Sequence, residues 1–266
     1  MNMKTKGQKP YENNTKFNAG EGAIAYPTHV LDNKARLQTN LDTDFLKLIA
    51  IVSMLIDHIG SVFFPEVRVL RWIGRLAFPI FCYCMTVGLL YTHDIKKYLF
   101  RLGIFALISQ PCYIFAFHPY DFWSQFTNWN IFFTLFLCLL AMYGWKERKW
   151  WLFALTFFVI SWWNFDYSSN GIFLMLVFYL CRNNPVVGAM FYLLFTVLPA
   201  LFARPGDFRN LTLGGLTFDW TFAMAFAALF IFPCTHTNLK VPRWLFYAFY
   251  PIHLLIIGLV RLVLKV

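Results

Sequence analysis

Charge is scarce in this sequence. Only 14% of its 266 residues are Asp, Glu, Lys or Arg, where a soluble domain carries about 25%, so the main body of the chain is not a water-soluble globule. Acidic residues are the scarcer sign, 13 against 23 basic. The basic residues stand in short clusters between apolar runs, not along a helix interleaved with exposed aromatics, and nucleic-acid binding has no footprint. The six cysteines include no C-x-x-C pair and no Cys/His spacing of a zinc site. Cys82 and Cys84 face about 200° apart on a helix and read as small buried apolar residues. No Gly-rich phosphate cradle, G-x-S-x-G nucleophile, signal-peptide pattern or internal repeat is visible. Nucleotide hydrolase, serine esterase and inverted-repeat transporter readings therefore lack support.

What the chain has in quantity is grease: 59% hydrophobic and 21% aromatic residues. Apolar runs separated by charged or Pro/Gly-containing stretches predict an all-α, polytopic membrane bundle with about nine transmembrane helices. The expected spans are 44–64, 72–92, 98–117, 129–144, 149–164, 170–181, 185–202, 216–233 and 244–264. Residues 1–43 are polar and read as a disordered cytoplasmic tail, and 44–266 as one membrane domain. An inward N-terminus puts nine Lys/Arg of the connections on the cytoplasmic side and four outside, as the positive-inside rule requires. Trp123, Trp129 and the pairs Trp150-Trp151 and Trp162-Trp163 fall at predicted span ends, where amphipathic rings sit.

Against that background the ionisable residues inside spans stand out. Asp57 and His58 are adjacent within the first run, and a buried ionisable pair in lipid is a functional-site hypothesis by default. His58 is read as a catalytic or proton-handling imidazole, with Asp57 orienting its ring or raising its basicity; its bland reading is a buried structural imidazole bonded to a backbone carbonyl. Lys47 lies eleven residues earlier on the same helical face, about 16 Å away; its bland reading is a lysine snorkelling to the interface. Arg68, Arg71 and Arg75 fall on the outer side. Arg68 and Arg71 are assigned to headgroup phosphates, and Arg75, beside Gly74 and Pro79, to a buried contact with Asp57. His253 lies near the midplane of the last helix, where it either serves the site or satisfies the carbonyl freed by Pro251. Asn130, Asp166 and Tyr167 lie in outer connections, Asp166-Tyr167 in a very short one.

These motifs have a family look. Leu46-Lys47-Leu-Ile-Ala with Met54-Leu-Ile-Asp57-His58-Ile59, then Ile73-Gly-Arg75-Leu-Ala-Phe-Pro-Ile-Phe81, Asn130-Ile-Phe-Phe-Thr134, Asp166-Tyr167 and Phe249-Tyr250-Pro-Ile-His253-Leu-Leu255 resemble the TraX family in the same order. The resemblance covers roughly residues 44 to 260. It implies a multi-pass inner-membrane protein related to an F-pilin N-acetylase, within the wider transmembrane acyltransferase group. It also implies acetyl-CoA as donor and an acceptor amine or hydroxyl on a small membrane protein such as pilin, or on a surface glycan. In the wider group a basic residue, ten residues and a histidine mark the first helix. Here these are Lys47 and His58, with Lys where Arg is more usual. Lys47 is then the CoA-phosphate contact, Arg75 the oxyanion donor, and Tyr250, His253, Asp166, Tyr167 and Asn130 further site residues. Ser168 occupies the position after Tyr167 where glycine is expected. Two alternatives stay open on sequence grounds: a proton-coupled transporter using Asp57, His58 and His253 as a relay, and a non-catalytic membrane assembly protein.

Overall fold

A computed structural model describes residues 39–163, 165–203 and 206–265. Among the described residues the architecture is all-α apart from one short hairpin. Ten α-helices follow in order: α1 Thr43–Phe63, α2 Arg68–Gly74, α3 Ala77–Tyr91, α4 Ile95–Phe117, α5 Ile131–Lys146, α6 Trp150–Trp162, α7 Asn170–Leu180, α8 Pro185–Ala200, α9 Ala228–Ile231 and α10 Arg243–Leu264. Strands β1 Leu211–Leu213 and β2 Leu216–Phe218, followed by a 3₁₀ helix over Trp220–Ala227, separate α8 from α9.

Four segments of the described residues are long and apolar enough to cross a membrane: Thr43–Phe63, Arg68–Tyr91 taken across its break, Ile95–Phe117 and Trp244–Leu264. The outward faces of α6 and α8 carry Trp151, Leu155, Phe158, Trp162, Phe191 and Leu194, all exposed. Leaving each such side chain in water forgoes about 1.5–3 kcal/mol, so a hydrocarbon solvent is what makes these faces stable. The chain is a membrane protein.

The core forms around α3, whose Ile80, Cys82, Tyr83, Val87 and Leu89 are almost fully enclosed. Helices α1, α5 and α7 pack against α3, and α10 lies along α4 and α1. Phe78, Tyr83, Cys138, Leu139, Met175 and Phe178 join these helices in one continuous apolar cluster.

Two sequence expectations are corrected here. The span 72–92 is two helices: α2 starts earlier and ends at Gly74, and Arg75 and Leu76 turn the chain into α3. Pro79 has no N–H to give the Arg75 carbonyl and its ring crowds that carbonyl, so a continuous helix through this point is disfavoured. The span 216–233 begins as the second strand of a hairpin. Gly214 and Gly215 both have positive φ, 58° and 84°, the two-residue turn that joins antiparallel strands, and Leu213 pairs with Leu216 across it.

The tail expected over 1–43 lies mostly outside the described residues; its last residues are docked. Asn40 donates to the Phe230 carbonyl and Thr235 Oγ1, both at 2.9 Å, and Asp42 Oδ2 accepts from Thr237 N at 2.8 Å. Tyr83 OH closes on the Asn40 carbonyl at 2.6 Å. The polar side chains of Asn40 and Asp42 thus replace water by protein partners, as burial demands. The other predicted spans coincide with α1 and α4 to α8 and α10 within a few residues.

Candidate functional site

Helix α1 delivers Asp57 and His58 to the same end of the bundle but sends them to different partners. Successive residues on a helix point about 100° apart, and the two side chains separate accordingly. Asp57 turns toward α2. Its Oδ2 accepts from Arg71 Nη1 at 2.8 Å, and Arg75 Nη2 stands 3.7 Å from Oδ1. A Cβ at position 74 would overlap the Asp57 carboxylate, so Gly74 is what lets the acid lie directly on the α2 backbone. The Trp220 ring lies beneath the Arg75 guanidinium at 3.9 Å, and Tyr167 is 5.1 Å from the same group. Asp57 Oδ1 and Arg75 Nε are buried and have no hydrogen-bond partner among the described residues.

His58 turns toward α10. Its Nδ1 is 2.8 Å from His253 Nε2, and the two rings meet edge to edge in nearly one plane, with centroids 5.0 Å apart and planes at 7°. His253 Nδ1 lies 2.7 Å from the Phe249 carbonyl. The Phe117 ring meets His58 edge-on at 5.3 Å. The His253 contact occupies Nδ1 and not Nε2.

Both clusters face one cavity of about 470 Å³, and Asp57, His58, Arg75, Asp166, Tyr167 and Tyr250 are among its walls. Tyr167 stacks flat on Phe78, centroids 3.8 Å apart, and Tyr250 packs against Phe132. Burial pushes the Tyr167 phenol up to about 12, so at neutral pH it is a hydroxyl donor. Asp166 is an exposed residue of the cavity wall within electrostatic reach of Arg75 and Arg71. Tyr167 and Ser168 have φ of 62° and 46°. The glycine expected at 168 is therefore replaced by a serine in the backbone region that glycine favours.

Several sequence expectations change. Asp57 does not orient His58; two arginines hold it, and His253 contacts the imidazole instead. Arg71 is no headgroup residue, since it makes the shorter contact to Asp57 and also donates to the Asp57 main-chain carbonyl at 3.2 Å. His253 binds the Phe249 carbonyl, not the one that Pro251 frees. Lys47 lies away from the cavity, 3.3 Å from Asp44 and over the Phe246 ring.

Asn130 caps α5 through Phe132 N and gives its amide to Gln110 Oε1 and the Ala106 carbonyl, both at 2.8 Å. It is fully buried and is not part of the cavity wall. The expected Asp57–Arg75 contact is present. Sequence reasoning missed Trp220, which lies in the segment taken for a plain helix. It also missed Arg261, a cavity residue that donates to the Ala116 and Phe117 carbonyls at the end of α4; an arginine near a span end carried no signal.

Among curated relatives, the chain is similar to the probable fimbrial assembly protein FimC, serogroup H1, of Dichelobacter nodosus. The two are 37% identical over 108 residues, covering 36% of this chain and 43% of that protein. It is also similar to the uncharacterized protein RP591 of Rickettsia prowazekii (strain Madrid E), 28% identical over 158 residues, covering 56% of this chain and 59% of the relative. The chain thus spans less than two thirds of the length of either. No solved structure matches. The TraX protein family, by contrast, matches from residue 42 to residue 261, which takes in α1, the cavity and most of α10. The chain belongs to the TraX family.

Proposed function

We propose that this chain is an integral-membrane acyltransferase that moves an acetyl group from cytoplasmic acetyl-CoA to an amine or hydroxyl of an acceptor at the outer side of the membrane. The observation that carries this reading is His58: an imidazole on the wall of a 470 Å³ cavity, with one nitrogen tied to His253 and a guanidinium cluster alongside. In the step proposed, His58 Nε2 takes the proton of the acceptor N–H or O–H as that atom attacks the thioester carbonyl carbon. The tetrahedral oxyanion is met by Arg75, whose Nε has no partner among the described residues. The C–S bond then breaks, and the proton held on His58 passes to the departing thiolate.

Lys47 stands about 16 Å along α1 from His58, a separation that an extended pantetheine arm spans. In this reading it receives the CoA phosphates at the cytoplasmic end, opening its pair with Asp44. The five shorter apolar helices complete a multi-pass inner-membrane bundle with the N-terminus inside. Family membership and the fimbrial assembly relative favour a pilin-like acceptor. A proton relay needs a next carrier beyond His253, and the other nitrogen of His253 is spent on a backbone carbonyl, which weighs against the transporter alternative.

The test is transfer itself. Membranes containing the wild type or His58→Ala are incubated with radiolabelled acetyl-CoA, and label is followed into membrane protein and glycan. Loss of a general base lowers the rate by about 10²–10⁴-fold. Incorporation by His58→Ala at near wild-type rate overturns the reading.

A further inference from the structure

We propose that His253 is a positioning residue that keeps the proton of His58 on Nδ1, so that Nε2 is the basic atom at the cavity. This rests on the acyl-transfer reading for its catalytic consequence, but not for its geometry. A carbonyl oxygen only accepts hydrogen bonds, so the 2.7 Å contact to Phe249 places a proton on His253 Nδ1. A neutral imidazole has one N–H, which leaves His253 Nε2 as a lone pair. The 2.8 Å contact to His58 then makes His58 Nδ1 the donor, and His58 Nε2 in turn holds a lone pair. One backbone carbonyl thereby sets the protonation of the remaining ring nitrogens.

The rings are held against rotation. His253 meets His58 edge to edge and packs against the Phe249 ring, whose centroid is 4.8 Å away. Only 5% of its surface is exposed. The carboxylate adjacent in sequence cannot take this role, because Asp57 is held by Arg71 and Arg75.

In serine hydrolases an acid holds the working histidine in its tautomer, and removing that acid's charge costs about 10⁴ in rate. Here a neutral imidazole does so without placing another charge in the membrane. When His58 becomes protonated at Nε2, its Nδ1–H still finds the His253 lone pair, so the imidazolium keeps its partner through the transfer step.

The experiment is nitrogen NMR on histidine-labelled full-length protein in nanodiscs, with the His58 signals identified by their loss in His58→Ala. The wild type is expected to show His58 protonated at Nδ1. His253→Gln places an amide oxygen near the lost Nε2 and preserves that tautomer, whereas His253→Phe fills the same space with no acceptor and releases it. Transfer rates should follow: about 100-fold loss of kcat in His253→Phe with KM for acetyl-CoA unchanged, and about 10-fold or less in His253→Gln. A wild-type His58 protonated on Nε2 overturns the proposal, as do Phe and Gln variants of equal activity. If the wild type transfers nothing to any acceptor, the NMR result still decides the tautomer, and the acyltransferase reading alone falls.

Discussion

Replacing Asp57 should destabilise the protein more than replacing Arg71, although both remove the same 2.8 Å ion pair. With an effective dielectric constant of about 20, the Coulomb attraction is about 6 kcal/mol at 2.8 Å and about 4.5 kcal/mol at the 3.7 Å of the Arg75 contact. Both are gross figures, and most of each is offset by the desolvation of the charges. What decides the outcome is the charge left behind.

Arg71→Met leaves Asp57 with Arg75, a neutral pair whose gap a small rotation closes. The expected cost is that of one charged hydrogen bond, about 1.5–3 kcal/mol. Asp57→Leu leaves two guanidiniums around Trp220 with no acid between them, and uncompensated buried charge costs about 3–5 kcal/mol. The double variant should cost less than the sum, because the second change removes one of the stranded cations. The assay is unfolding in nanodiscs followed by tryptophan fluorescence, with the cycle closed by the double variant. An Arg71→Met cost equal to or above that of Asp57→Leu would refute the charge-count reasoning.

Two further outcomes are expected. Ser168 keeps a left-handed backbone while its Oγ donates to the Ile160 carbonyl at 3.2 Å; Ser168→Gly and Ser168→Ala both lose that bond, but only Gly relieves the φ, so the Gly variant should be more stable than the Ala variant by about 1 kcal/mol. Equal melting temperatures would contradict the strain argument. Asn130→Ala should cost about 1 kcal/mol for the α5 cap and about 0.5–1.5 kcal/mol for each of the two lost amide hydrogen bonds, because Gln110 Oε1 keeps the main-chain N–H of residue 130 at 3.1 Å, with transfer per folded molecule unchanged; a selective loss of rate at intact stability would return Asn130 to the chemistry.

The parts of the site legible in sequence are those that break a local pattern. Asp57 and His58 show because ionisable groups are rare in a run as apolar as 45–64, and Arg75 shows because Gly74 and Pro79 flank it. What sequence adjacency could not give is direction. Neighbours on a helix do not face each other, so the Asp57–His58 dipeptide suggested a contact that the helix geometry disallows. The partners are set by tertiary placement: Arg71 reaches Asp57 only because α2 folds back over α1, and His253 meets His58 from 195 residues away. Hydropathy also misread 216–233, since a greasy hairpin followed by a 3₁₀ turn has the same composition as a helix. There the informative signal was Gly214-Gly215, which specifies a turn whatever surrounds it.

The docking of residues 39–42 onto the connection between α9 and α10 has a consequence for how the protein comes into being. The two histidines stand on α1 and α10, the first and last described helices, and the same two ends are laced together by Asn40 and Asp42. During synthesis α1 enters the bilayer long before its partner exists, and the imidazole of His58 waits with no mate. Nine helices later, α10 arrives along α4, the lace closes, and the pair forms. A chain that stops before α10 therefore lacks the His58–His253 contact and leaves α1 without its last-formed neighbour.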